Sequence, residues 1–162
     1  MLLWFLGTAL LTVFFVFTDP RFDYRLLLVG ALLPDLVDIP LGQAAAAHSL
    51  AVAVGALALV MAVTAGRKPI RRLLLGLPIG MLLHLVWDGA FASTPVFWWP
   101  FSGSWGHVEV MSIERGWLNV PLELLGAGLL WYSWGRFGLA DRARRQRFLR
   151  HGVLGDTRPP VV

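Results

Sequence analysis

The chain has no cysteine among its 162 residues, which excludes disulfides, thiolate zinc sites and cysteine nucleophiles. Charge is scarce as well: charged residues make up 15% of the chain, against 57% apolar residues and a mean hydropathy of +0.66. A water-soluble domain carries about a quarter of its residues charged, to wet its surface. This chain cannot do that, and lipid is the solvent its composition suits. Also missing are a Gly-x-Ser-x-Gly elbow, a glycine-rich phosphate loop and any internal repeat. The length suits one domain.

The net charge is +4 and the pI about 10.6. Nucleic acid is nevertheless not the expected partner, because no recognition motif accompanies the charge. The basic residues fall in short clusters between apolar runs and in the tail, which is the pattern of topology signals and of contact with anionic lipid.

The apolar runs predict an all-α integral membrane bundle of about five helices. They are Leu2 to Phe17, Leu26 to about Leu41, Ala44 to Ala65, Ile70 to Asp88 and Trp117 to Trp134. The first is not read as a signal peptide, since no Lys or Arg precedes it and no small-residue cleavage site follows. Arg21 and Arg25, then Arg67, Lys68, Arg71 and Arg72, then the arginines from Arg136 onward all fall on one side of five alternating spans. The positive-inside rule makes that side cytoplasmic and places the N-terminus outside, in a multi-pass protein of the inner (cytoplasmic) membrane.

The organisation expected is a transmembrane domain at 1–135, with an outer aromatic loop at 89–116, and a basic cytoplasmic tail at 136–162. Phe97, Trp98, Trp99, Phe101 and Trp105 suit the headgroup region. Residues 136–151 read either as a basic helix on the inner membrane surface or as a solvated stop-transfer tail. On the first reading Phe137, Leu139, Phe148 and Leu149 are the apolar contacts. Residues 152–162 are expected to be disordered.

Ionisable groups inside a membrane are costly unless paired, hydrated or metal-bound. Asp35 and Asp38 are three apart, and His84 and Asp88 four apart, so each pair shares a helix face. His48 opens the third segment. Gly76 and Gly80 continue the stripe of His84 and Asp88, and His48, Ala51 and Gly55 form a similar one; small residues of this kind allow close helix approach. The topology drawn from the arginines alone brings Asp35, Asp38, His48, His84 and Asp88 to the outer ends of three helices.

Three carboxylates and two imidazoles form a mixed oxygen and nitrogen ligand set. It suits zinc first and manganese second, and is large enough for two ions. A metal there would lower the pKa of a bound water for hydrolysis. A proton or ion path, or structural pairing such as Asp35 with His48, uses the same residues. Glu123 is a weaker candidate for the site, or for a bond to His84. His107 and Glu109 could cover it from the outer loop, and Ser49 is read as a backbone partner rather than a nucleophile.

With GALLPDLVDIPLG at 30–42, HSL at 48–50, HLVWD at 84–88 and WWPFSG at 98–103, the chain resembles the inner-membrane metal-dependent hydrolases. That group includes the LexA-binding, inner membrane-associated hydrolases. The resemblance implies a membrane-embedded hydrolase with Asp35, Asp38, His48, His84 and Asp88 as metal ligands. The chain departs from the family pattern at Ala44 to Ala47, where relatives carry a basic residue, and at Ile39, where a Lys is frequent.

The expected function is hydrolysis of an ester or phosphoester in a lipid or lipid-linked substrate at the outer leaflet. Asp35, Asp38, His84 and Asp88 are the catalytic candidates, one carboxylate doubling as general base. A metal or proton transporter is the alternative, weakened by the scarcity of ionisable groups in the inner helix halves. A non-enzymatic subunit that binds a partner through the basic tail is another.

Overall fold

The computed structural model describes residues 1–17, 22–38, 40, 44–92, 95–103 and 116–154. Among them the protein is all-helical, with no strand. Helix α1 spans Leu2–Val16, α2 Tyr24–Asp38 and α3 Leu50–Val63. Helices α4 (Lys68–Leu74) and α5 (Gly76–Asp88) run on through Leu75 as one apolar stretch of 21 residues. Helix α6 spans Asn119–Arg136 and α7 Arg142–His151. Among the described residues only Lys68–Asp88 is long and apolar enough to cross a bilayer unaided.

The most extensive packing is α2 against α5, followed by α1 against α6. Both pairings rest on glycine. A Cβ on Gly80 would run into Leu27 O and stand 2.6 Å from Ala31 N, and one on Gly30 would run into Leu77 O. On the other pair, Gly126 meets the backbone of Leu3 and Trp4 in the same way. Backbone contact at this range is open only to residues without a side chain.

The expected stripe of Gly76, Gly80, His84 and Asp88 is buried throughout. The matching stripe on α3 is not. Gly55 is exposed with nothing near it, and Ala53 is the residue buried in that helix. The reason is a break in phase. His48 closes a 3-10 turn (Ala46–His48), and Ser49 then adopts an extended conformation and caps α3, so His48 is not in register with the helix that follows.

Every residue of α3 is apolar or glycine, yet apart from Ala53 none is buried; Leu59 and Val63 are more than half exposed. On α6, Leu124, Leu125 and Trp131 also point outward. The bundle therefore presents apolar side chains on its outside as well as its inside.

The bundle has two unlike ends. Phe5, near the start of α1, packs its ring on His84 at 4.0 Å, close to the ends of α2 and α5. At the far end of α1, Phe14 packs on Phe137, with the Arg136 guanidinium 5.6 Å above the Phe14 ring. Between these ends lies an apolar core that includes Leu10, Val13, Phe14, Leu27 and Phe137.

The described part of the tail departs from expectation, and residues 155–162 lie outside the described residues. Tyr24 N donates to Gly152 O, and Arg25 Nη1 donates to Leu149 O and Arg150 O, docking the end of α7 onto the start of α2. Leu154 is buried in the core with Phe22 and Tyr24. Residues 152–154 are thus held, because an apolar anchor and two sets of backbone bonds offset their ordering cost. Phe137 is buried, and Leu139 and Phe148 pack on the same core; of the four predicted membrane contacts only Leu149 points outward.

Candidate metal centre

Asp35 and Asp38 occupy the last turn of α2, just after Pro34. A proline inside a helix removes one backbone donor and displaces the carbonyls of the preceding turn. Ala31 O, in that turn, accepts a bond from His84 Nδ1 of α5 at 2.7 Å. A carbonyl can only accept, so Nδ1 carries the proton and the Nε2 lone pair of His84 faces the other way.

His48 is fixed by the same logic. Its Nδ1 lies 2.7 Å from Asp38 Oδ2. That oxygen also accepts from Ala45 N at 2.8 Å and His48 N at 3.2 Å. Asp38 therefore folds the turn over 44–48 and orients the imidazole at once. With Nδ1 committed to the carboxylate, a neutral His48 ring presents its Nε2 lone pair.

Both lone pairs meet Asp35. Its Oδ1 is 3.5 Å from His48 Nε2 and 3.6 Å from His84 Nε2. All three atoms are buried without a hydrogen-bond partner. One ligand atom from each of Asp35, His48 and His84 falls within a cluster 4.8 Å across. With both rings neutral, three acceptors face one another, which is unfavourable in a buried site.

Two of the three spacings can be compared with hydrogen bonding and with metal ligation. An N–H···O bond runs at about 2.7–3.2 Å, shorter than either contact, so Asp35 and His48 stand at ion-pair rather than hydrogen-bond range. Ligand atoms held tetrahedrally at about 2.0–2.2 Å from one ion lie about 3.3–3.6 Å apart. The buried Asp/His/His group can hold a metal ion. Its outer-shell partners, Asp38 on His48 and Ala31 O on His84, are of the kind that fix a metal-binding imidazole.

The remaining sequence candidates fall in different places. Asp88 is buried one turn beyond His84, outside the close triad. Asp38 stands behind His48. Glu123 does not reach His84: its Oε2 accepts from Leu3 N at 2.7 Å, capping the start of α1. Ser49 donates to Ala46 O and accepts from Val52 N, a cap as expected. His107, Glu109 and Trp105 lie outside the described residues.

Two contributors carry no sequence signal. The carbonyl of Ala31 is backbone, and Phe5, which covers the His84 ring, is one apolar residue among many in α1. Beside the turn that carries His48, Leu50 N donates to Phe97 O at 2.9 Å, bringing the aromatic loop against α3. Leu50, Val54, Phe97, Trp98, Trp99 and Phe101 line an apolar groove of about 300 Å3 there.

Comparison with protein families, with characterised proteins and with solved structures gives no match.

Proposed function

We propose that the protein is a membrane-embedded, metal-dependent hydrolase of the inner membrane, acting on an ester or phosphoester of a lipid or lipid-linked substrate. The observation that carries this reading is the buried convergence of Asp35 Oδ1, His48 Nε2 and His84 Nε2 with no hydrogen bond among them. Three protein ligands leave a fourth position open, as in catalytic rather than structural zinc sites. Zinc suits the donor set best, with manganese second, and three atoms describe one ion. Such an ion supplies Lewis acidity and an activated water.

The chain's own residues supply the rest. Asp38 and Ala31 O hold the two imidazoles in the tautomer that presents Nε2. Asp88, the third buried carboxylate at the same end, is assigned as proton acceptor. Phe5 covers one face of His84 and keeps water from it. The side chain of Asp35 is about 10% exposed, more than either histidine. The groove against α3 suits the apolar part of a substrate.

Membrane residence is supported by the exposed apolar surface. A helix apolar all round yet mostly unburied, as α3 is, has lipid as its natural surroundings. The finer topology, five spans with the C-terminal tail cytoplasmic, rests on the arginine clusters. Helices of 14 to 18 residues are about 21–27 Å long, so the account includes a locally thinned bilayer around them. Transport fits less well, because the core between the triad and the basic end is apolar.

The test is to purify the full chain in detergent and assay metal content and hydrolysis of phospholipid and lipid-phosphate substrates. Wild type should hold one ion per chain and show chelator-sensitive turnover, both lost in Asp35→Ala and His84→Ala. Bound metal without turnover on any lipid ester or phosphoester would reject the hydrolase. Absence of bound metal would reject the site itself.

A further inference from the structure

The apolar groove beside α3 and the candidate metal centre are built against each other. Leu50 follows His48 by two residues, and its N–H holds Phe97 O at 2.9 Å. Phe97, the buried floor of the groove, packs in one apolar cluster with Leu50, Leu33 and Leu85. Leu33 precedes Asp35 by two positions, and Leu85 follows His84 directly. The floor thus rests on residues next to all three members of the triad, which fixes the groove relative to them.

The loop that forms its other wall is preformed. Trp99 N donates to Val96 O, Phe101 N to Trp98 O at 2.9 Å, and Ser102 Oγ to Pro95 O at 2.6 Å. The rings of Phe97 and Trp98 meet edge to face at 4.8 Å. No lining side chain carries a charge, and these backbone groups are committed to one another. A peptide laid in the groove would bring N–H and C=O groups that the lining cannot satisfy. A hydrocarbon chain brings none.

We infer that the groove takes one hydrocarbon chain of the substrate whose ester or phosphoester reaches the triad, so that the site selects substrates by a single chain. The inference rests on the hydrolase reading above and narrows its substrate class. A cavity of about 150 Å3 accommodates benzene, so a groove of about 300 Å3 has room for roughly twelve carbons of one chain and not for two. Leu50 marks the end beside His48, and Val54 lies about 6 Å further along α3. Val54 therefore meets the distal part of the chain.

Calorimetric titration of the zinc-loaded full chain in a non-ionic detergent tests this, with acetohydroxamate and decanohydroxamate as probes. Both present the same zinc-binding head, and only the second carries a chain. Comparing variants with one probe in one detergent cancels partition into micelles. Val54→Trp, which fills the distal groove, and Phe101→Ala, which removes part of its wall, should each weaken decanohydroxamate at least fivefold and acetohydroxamate less than twofold. Leu59→Trp, on α3 but outside the groove, should change either probe less than twofold. Removal of zinc should weaken both probes. All three positions are exposed, and unchanged helicity and zinc content would confirm that the variants fold.

Decanohydroxamate affinity unchanged in both groove variants, weakened as much by Leu59→Trp, or unaffected by removal of zinc would each overturn the inference. Failure of both probes to bind, or a chain that holds no zinc, would instead reject the metal centre.

Discussion

Replacing Asp38 by Asn is the most informative single perturbation of the proposed centre, because it separates a residue that orients a ligand from one that is a ligand. Asp38 Oδ2 accepts three bonds, from Ala45 N, His48 N and His48 Nδ1. Asparagine keeps the shape and one acceptor oxygen but removes the charge. Bonds to a charged group contribute about 1.5–3 kcal/mol and neutral ones about 1 ± 0.5. The loss is therefore roughly 1 kcal/mol per bond, or about 3 kcal/mol over the turn. For the metal, losing an outer-shell partner costs about 10–100-fold in affinity. Competition titration against a chelator of known zinc affinity, alongside thermal unfolding in detergent, reads both quantities. Asp38→Asn should still bind one zinc, 10–100-fold more weakly, whereas His84→Ala should bind none. Wild-type affinity in a folded Asp38→Asn protein would refute the orienting role. Complete loss of metal, equal to that of His84→Ala, would make Asp38 a direct ligand.

Other expectations follow from the packing and the tail. Gly80→Ala forces α2 and α5 apart where they touch backbone to backbone; it should lower the unfolding midpoint by the equivalent of about 1–3 kcal/mol and weaken zinc by moving His84 from Asp35. Gly152→Ala places a side chain against Asp23 at positive φ, and should undock α7, seen as faster exchange of the Tyr24 amide and cleavage near residue 150 by added protease. The Asp141 carboxyl caps α7 by accepting from Arg144 N, which holds its pKa below the ordinary 3.8. The cap therefore contributes stability above pH 3.8 and loses it as pH falls through the lowered value. Amide exchange in α7 should rise only in that acid range, and Asp141→Asn should flatten the response. Chelator treatment of wild type should lower its unfolding midpoint and leave that of His84→Ala unchanged.

Much of the centre was legible because its residues are expensive where they stand. Asp35, His84 and Asp88 interrupt apolar segments, and a helical period of three or four places them on shared faces. Placing the basic clusters at one end then brings His48 to the same end as the others. What could not be read was the division of labour. Asp38 and Asp35 look equivalent in sequence, and only the fold of 44–48 over Asp38 commits one carboxylate to a backbone turn and leaves the other facing two imidazoles. The break at Ser49 altered the face assigned to α3, since periodicity assumes a continuous helix. The bond between Glu123 and Leu3, and the docking of Gly152 on Tyr24, join residues more than a hundred positions apart. No local pattern encodes such pairs. The exposed apolar faces agree with a composition that cannot wet its own surface.

The central claim is that Asp35, His48 and His84 bind one metal ion through an oxygen and two Nε2 atoms. Zinc-edge X-ray absorption of the purified, zinc-loaded full chain tests it most directly. The account predicts one zinc per chain with two imidazole nitrogens and one or two oxygens at about 2.0–2.2 Å, and one imidazole fewer, or no bound zinc, in His48→Ala and in His84→Ala. A zinc shell without imidazole scattering, or one unchanged by either substitution, would contradict it.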